Sequence, residues 1–104
     1  MFRCTVYRYT MIRSFRDKAL ERCWRKGRCN RIPAALRRRI LMKLDSLEAA
    51  TTVDDLANPP GNHLHTLAGK EYDGFWAIAV NGPWRLIFRF EAGDAYEVQL
   101  QQYH

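Results

Sequence analysis

The spacing of hydrophobic residues in this chain changes once, at the Asn-Pro-Pro-Gly segment of residues 58–61. Before this segment, apolar side chains recur every three or four residues, which is the period of an amphipathic helix. After it, they alternate with polar ones, which is the period of a strand with one buried face. Helices followed by strands predict an α+β fold, with an N-terminal helical hairpin packed on one face of a curled antiparallel sheet.

Two helices are predicted in the first half. The first fits residues 15–26, with Ser14 and Asp17 as a capping box and Gly27 as the residue that ends it. The second begins near Pro33, which suits the first turn of a helix. Its apolar side chains share one face: Leu36, Ile40, Leu44 and Leu47.

The second half predicts three or four antiparallel strands. Asn81-Gly82 is expected to form a tight hairpin turn, because both residues tolerate positive φ. A further turn is expected at residues 91–94, and the last strand should place Tyr96, Val98 and Leu100 on one face. The predicted strands cover residues 63–67, 75–80, 84–90 and 95–103.

The strand over residues 84–90 carries alternating cationic and apolar side chains. Burial against the helices favours Leu86, Phe88 and Phe90, so Arg85, Ile87 and Arg89 are expected on the uncovered face of the sheet. Four residues along a strand place the two arginines about 13 Å apart. That spacing suits neighbouring phosphates, and ordinary exposed arginines are the alternative.

Length and charge limit the class of protein. A chain of 104 residues forms one domain, and a net charge of +6 favours a polyanionic partner such as nucleic acid. No apolar run approaches the ~20 residues of a membrane helix, and no signal peptide is recognisable. A soluble, cytoplasmic protein is therefore expected.

The cysteines are odd in number and irregular in spacing. Cys4, Cys23 and Cys29 are therefore expected to be reduced thiols. A zinc site made of Cys23, Cys29, His63 and His65 would match no standard ligand spacing, so no metal site is predicted.

Three histidines stand out as candidates for chemistry. His63 and His65 share a parity on a strand, and His104 is the last residue. Histidine exchanges protons near neutral pH. Two histidines near arginines supply the base, the acid and the positive charge needed to cleave RNA through its 2′-hydroxyl. A purely structural role for each histidine is the alternative.

The stretches "MIRSF", "LHTLAG", "GFWAIAVNGPWRLIFRFEAGDAYEV" and the terminal "YH" together resemble the HigB-type killer toxins, plasmid-maintenance proteins of the RelE/ParE superfamily. The resemblance covers residues 11–104, which are expected to form a single toxin domain. Residues 1–10 lie outside it and are expected to be an N-terminal extension or the product of a mis-assigned translation start.

This resemblance implies the toxin of a type II toxin–antitoxin system. Its activity would be ribosome-dependent, metal-independent cleavage of mRNA in the decoding site, giving a 2′,3′-cyclic phosphate and requiring no cofactor. The implied partner is a cognate helix-turn-helix antitoxin of the HigA type, with which the toxin forms a hetero-oligomer. No membrane partner is implied.

The resemblance also assigns site residues. The histidine of the family pattern "LHPLKG" falls on His65, and the remaining catalytic positions fall on Arg85, Arg89 and His104. Lys70 and Tyr103 are expected to bind RNA, Lys70 through a phosphate and Tyr103 by stacking on a base.

Two positions depart from the family pattern. Ala68 replaces its lysine, and Gln102 replaces an acidic residue that would orient the terminal histidine. Two other functions therefore stay open. One is a ParE-like protein that inhibits DNA gyrase without enzymatic activity, and the other is a catalytically weak relative that binds its antitoxin.

Overall fold

Two helices precede a four-stranded antiparallel sheet in residues 11–102, the part of the chain that the computed structural model describes. The helices are α1 (Lys18–Lys26) and α2 (Ala34–Ala49). The strands, in sheet order, are β1 (His65–Thr66), β2 (Phe75–Asn81), β3 (Trp84–Glu91) and β4 (Asp94–Gln102). Short 3₁₀ helices cover Val53–Ala57, Pro60–Asn62 and Lys70–Tyr72. The predicted α+β fold is confirmed. The predictions for Cys4, Tyr103 and His104 lie outside the described residues.

The main core lies between the helices and one face of the sheet. The predicted apolar face of α2 is fully covered, and its side chains pack in one cluster with Ile78 of β2 and with Leu86 and Phe88 of β3. Burial of each such side chain stabilises the fold by about 1.5–3 kcal/mol. Neither helix of the described region is long and apolar enough to cross a membrane.

Helix α1 begins three residues later than predicted. Its N-cap is Asp17, whose carboxylate accepts hydrogen bonds from the backbone N–H groups of Ala19 and Leu20. Ser14 is not the cap, because its hydroxyl accepts a hydrogen bond from the Glu97 N–H at 2.8 Å. Gly27 ends the helix in the left-handed conformation, as expected.

The segment before α1 lies beside the last strand. Ile12 and Phe15 form parallel bridges with Ala95 and Val98 of β4. The backbone N–H of Arg13 donates to the Ala95 carbonyl at 2.7 Å, and Ile12 is completely buried. Residues 12–15, at the start of the described chain, are therefore hydrogen-bonded to β4 near its end.

The prediction of reduced cysteines is wrong for two of the three. Cys23 and Cys29 form a disulfide across a separation of six residues. The cause is local: the left-handed Gly27 reverses the chain after α1, and the two Cα atoms come within 4.3 Å. Since the two sulfur atoms are bonded to each other, they supply no thiolate for zinc.

The hairpin between β2 and β3 turns one residue later than predicted. Asn81 is the last residue of β2 and pairs with Trp84, so the turn consists of Gly82 and Pro83. Gly82 has a positive φ of 54°, and Pro83 has no N–H to give to a strand pair. The turn at residues 91–94 forms as predicted, with both central residues at positive φ.

Strand β4 contains a bulge that changes which side chains share a face. Glu97 has a φ of 54°, and the pairing shifts from Ile87↔Gln99 to Arg89↔Tyr96 around it. Val98 faces the helices as predicted. Tyr96 does not, since the extra residue turns its ring to the other face of the sheet, where it lies beside Arg89.

Candidate functional site

The sheet face opposite the helices carries the candidate site, and we call it the distal face. Its residues come from four strands: His65 from β1; Phe75, Ala77 and Ala79 from β2; Arg85, Ile87 and Arg89 from β3; and Tyr96, Gln99 and Gln101 from β4. Both arginines therefore lie on the predicted face. This face is not uncovered, however. Leu67 and Tyr72 pack over its centre and leave Ile87 only 1% exposed.

Residues that pair across the strands form rows that run across the distal face. The strand register places His65 and Arg85 in neighbouring rows. His65 pairs with Ala77 in one row, and Arg85 pairs with Ala79 in the next. Two strand spacings and one two-residue step put their backbones roughly 12 Å apart. Ala77 and Ala79 of β2 lie between these backbones and contribute only methyl groups, and Ala77 is completely buried.

The ring of His65 has a defined orientation. Its Nδ1 lies 2.7 Å from the carbonyl oxygen of His63. Since a carbonyl only accepts, Nδ1 is the nitrogen that carries the proton. In the neutral ring the lone pair is then on Nε2, which is the atom able to take a proton from a substrate. His63 lies before β1 in the left-handed conformation. The prediction that it belongs to this strand is wrong.

The loop before β1 is held by Asn62, which is completely buried. Its amide nitrogen donates to the carbonyls of Leu56 and Asn58 at 3.0 and 3.2 Å, and its Oδ1 accepts a hydrogen bond from Lys43. Burial and the nearby charge of Arg39 lower the pKa of Lys43. These contacts fix the path of the chain into the strand that carries His65.

The guanidinium group of Arg85 is anchored on the hairpin turn. Its Nη1 donates to the carbonyl oxygens of Gly82 and Trp84, at 2.7 and 2.9 Å. Two bonds from one nitrogen to fixed backbone oxygens define the position of the group. Both acceptors are neutral, so the positive charge of Arg85 is not cancelled by them.

Arg89 has a different environment from Arg85. Its guanidinium lies 3.2 Å from the Glu91 carboxylate and 3.5 Å from that of Glu97, and above the ring of Tyr96. Two carboxylates offset its charge, and its row, which includes Phe75, adjoins the row of His65 on the side opposite Arg85. Arg89 is thus held by carboxylates, and Arg85 is held by backbone carbonyl oxygens of the hairpin turn.

Lys70 lies on the segment that borders the distal face. It is exposed and lines a depression of about 570 Å³ with Gly69 and Asp73. A second, smaller cavity of about 260 Å³ lies beside it, lined by Leu67, Ala68, Tyr72, Ile87 and Gln101. Lys70 does not line this second cavity.

Two glutamines of β4 also belong to the distal face and were missed by sequence reasoning. Gln99 lies in the row of His65, and Gln101 pairs directly with Arg85. Their alternation along the last strand was a visible signal. Without the register between β3 and β4, however, the sequence does not show that Gln101 is the cross-strand neighbour of Arg85.

No group of three or more histidine, cysteine, aspartate or glutamate side chains suited to hold a metal ion occurs within residues 11–102. The polar groups on two neighbouring rows of the distal face are an imidazole, a guanidinium and two amides. Such a set transfers protons and stabilises negative charge.

A small basic domain with a helical hairpin on one sheet face and this set on the other has the architecture of a RelE-like toxin. The family model for RelE-like toxins of the type II toxin–antitoxin system HigB matches residues 13–104. The chain belongs to this family. Membership implies an antitoxin as a protein partner.

Curated relatives are similar over most of the chain. "Endoribonuclease HigB" of Proteus vulgaris is 37% identical over 94 residues, which cover 90% of this chain and all of the relative. "Toxin HigB-1" of Vibrio cholerae is 36% identical over 91 residues, covering 86% of this chain and 95% of the relative. An uncharacterised protein of Haemophilus influenzae is 36% identical over 87 residues, or 83% of this chain and 85% of its own length.

Proposed function

We propose that this protein is an endoribonuclease toxin that cleaves mRNA on the ribosome and is neutralised by a helix-turn-helix antitoxin of the HigA type. The observation that carries the proposal is that an oriented imidazole, His65, and an anchored guanidinium, Arg85, lie in neighbouring rows of one sheet face. The similarity to a full-length relative named as an endoribonuclease supports the same chemistry.

The proposed reaction needs only proton transfer and charge stabilisation. Nε2 of His65 takes the proton of a ribose 2′-hydroxyl, and the 2′-oxygen attacks the adjacent phosphorus. The bond from phosphorus to the 5′-oxygen then breaks, and that oxygen leaves with a proton from a second acid, for which we propose His104. The products are a 2′,3′-cyclic phosphate and a 5′-hydroxyl.

Arg85 stabilises the negative charge that grows on the phosphoryl oxygens during this attack. Removal of one such donor costs ~10²–10³ in rate. Arg89 and Lys70 contact neighbouring phosphates, and Tyr103 stacks on a base. Glu91 and Glu97 already offset part of the charge of Arg89, which reduces its contribution.

The ribosome supplies the remaining acceleration by holding the mRNA in line for attack. Positioning of reactants contributes up to ~7–11 kcal/mol to the lowering of a barrier. The net charge of +6 of the whole chain gives the protein general affinity for RNA, and this affinity does not by itself place one phosphodiester in line for attack. Free mRNA is therefore a poor substrate for the isolated protein.

The test is induction of His65→Ala and Arg85→Ala variants in growing cells, with mapping of cellular mRNA 5′ ends. Both variants lose at least 100-fold in cleavage and no longer arrest growth. Arg38→Ala is the matched control, since it removes an exposed arginine from α2, on the other side of the sheet. Folded His65→Ala and Arg85→Ala variants that stay as toxic as the wild type would refute this active site.

The same experiment separates the nuclease from a gyrase inhibitor. Breaks within translated codons support the nuclease. DNA damage with intact transcripts would instead establish the ParE-like activity.

A further inference from the structure

Three hydrogen-bonding groups form a relay along the bulged end of β4. Gln99 Nε2 donates to the backbone carbonyl of Glu97 at 3.3 Å, and Gln101 Nε2 donates to Gln99 Oε1 at 2.6 Å. Gln99 is only 6% exposed. We call these two amides and the carbonyl the amide relay.

The chemistry of the carbonyl fixes the direction of the amide relay. A carbonyl oxygen only accepts, so Gln99 must turn its NH₂ group toward Glu97 and its oxygen toward Gln101. Gln101 must then offer its own NH₂ group to that oxygen. The orientation of the Gln101 amide therefore follows from a backbone group that cannot change its role.

The amide at the end of the relay borders the cavity of about 260 Å³ on the distal face. Leu67, Tyr72 and Ile87 supply apolar walls, and Ala68 adds only a methyl group. Tyr72 is itself held edge-on against Phe75, with ring centroids 5.9 Å apart. Sites for drug-sized ligands span about 300–1,000 Å³, so this smaller cavity suits one flat heterocycle.

The position of the cavity relates it to the proposed reaction. Gln101 is the direct cross-strand neighbour of Arg85. A phosphate held by Arg85 would therefore carry its nucleoside next to Gln101. Apolar and aromatic walls with one amide at the rim are the usual means by which proteins hold an unstacked base.

We propose that this cavity binds one nucleobase of the mRNA and that the amide relay makes it discriminate amino bases from keto bases. This inference rests on the proposed function. Adenine and cytosine carry an exocyclic amino group, which donates, next to a ring nitrogen that accepts. Guanine and uracil carry an exocyclic keto oxygen, which accepts, next to a ring N–H that donates. A freely turning amide pairs with either arrangement. The Gln101 amide cannot turn, because its oxygen would then face the oxygen of Gln99.

The test compares base preference around mapped cleavage sites for wild type, Gln101→Ala and Gln99→Leu. The wild type should show an amino-against-keto preference of roughly 5- to 150-fold at one position beside the cut, the range of a two-bond base contact. Gln101→Ala removes the contact, and Gln99→Leu frees the amide to turn. Both should reduce the preference to within about twofold. Gln102→Ala, an exposed amide on the same strand, is the control and should keep it.

The outcomes separate this inference from the function on which it rests. Cleavage by wild type and Gln101→Ala with the same base preference overturns the inference and leaves the nuclease intact. Loss of all cleavage in both folded variants assigns the amides to the reaction geometry and also overturns it. A wild type that cleaves no mRNA overturns the proposed function together with the inference. Thermal unfolding of each variant establishes that it is folded.

Discussion

Replacement of Asn62 by alanine should destabilise the protein strongly, although the residue lies in a loop. The side chain is completely buried and uses both ends of its amide. Alanine would leave the buried Leu56 carbonyl without its donor, which costs about 1–3 kcal/mol. Loss of the bond to the partly buried Asn58 carbonyl adds about 0.5–1.5 kcal/mol. We expect a total loss of about 1.5–4.5 kcal/mol in the free energy of unfolding.

This loss is measured by urea unfolding and by thermal denaturation. For a domain of this size it corresponds to a fall in Tm of about 10–25 °C. Asn30→Ala, which removes an exposed asparagine, should change stability by less than about 0.5 kcal/mol. Lys43→Met should cost less than Asn62→Ala. The lowered pKa of Lys43 means that burial already disfavours its charge. In Lys43→Met, moreover, the Asn62 amide still donates to the carbonyls of Leu56 and Asn58.

A loss below about 0.5 kcal/mol in Asn62→Ala would refute the reasoning. It would mean that water replaces the amide at both carbonyls and that the loop before β1 does not depend on this side chain. A large loss with the same cost in Asn30→Ala would also refute it.

Other predictions follow from the charged residues. Hydrogen bonds from Thr51 and Thr52 lower the pKa of Asp55 below 3.8, so Asp55 stabilises the folded state above that pH and loses this effect as the pH falls through its folded-state value. The stability gap between wild type and Asp55→Asn should thus close in acid, as followed by urea unfolding between pH 7 and pH 2.5. Glu97→Gly should be less destabilising than Glu97→Ala by roughly 1 kcal/mol, since glycine adopts the φ of 54° without strain. Equal stability of these two variants would contradict the bulge.

The fold was largely predictable because its hydrophobic periods are clear. Leu36, Ile40, Leu44 and Leu47 recur at helical spacing, and the parity of β3 separates its core residues from Arg85. These patterns depend only on which side chains gain from burial. They need no knowledge of long-range contacts.

Some of the errors arise from interactions between segments distant in the chain. Ser14 resembles a cap, but its hydroxyl bonds to the Glu97 N–H, 83 residues away. Tyr96 follows the strand alternation until a single left-handed residue reverses it. Ile87 was expected to be uncovered because the packing of Leu67 and Tyr72 over the sheet has no local signature.

The candidate site was predictable by residue type and not by arrangement. Arg85 and Arg89 look alike in the sequence, yet Arg89 contacts carboxylates from β3 and β4, and Arg85 contacts backbone carbonyls of the hairpin turn. Which residue neighbours an arginine across strands depends on register. Gln101 was not predicted as a site residue for the same reason, since its place beside Arg85 follows only from the register.

The parallel bridges between residues 12–15 and β4 have a consequence for biosynthesis. Ile12 is among the first of the described residues to leave the ribosome, but its partner Ala95 is among the last. This edge of the core cannot close on a partly made chain, and contacts between such distant segments form slowly. The complete core therefore forms only after residues 94–102 have been synthesised.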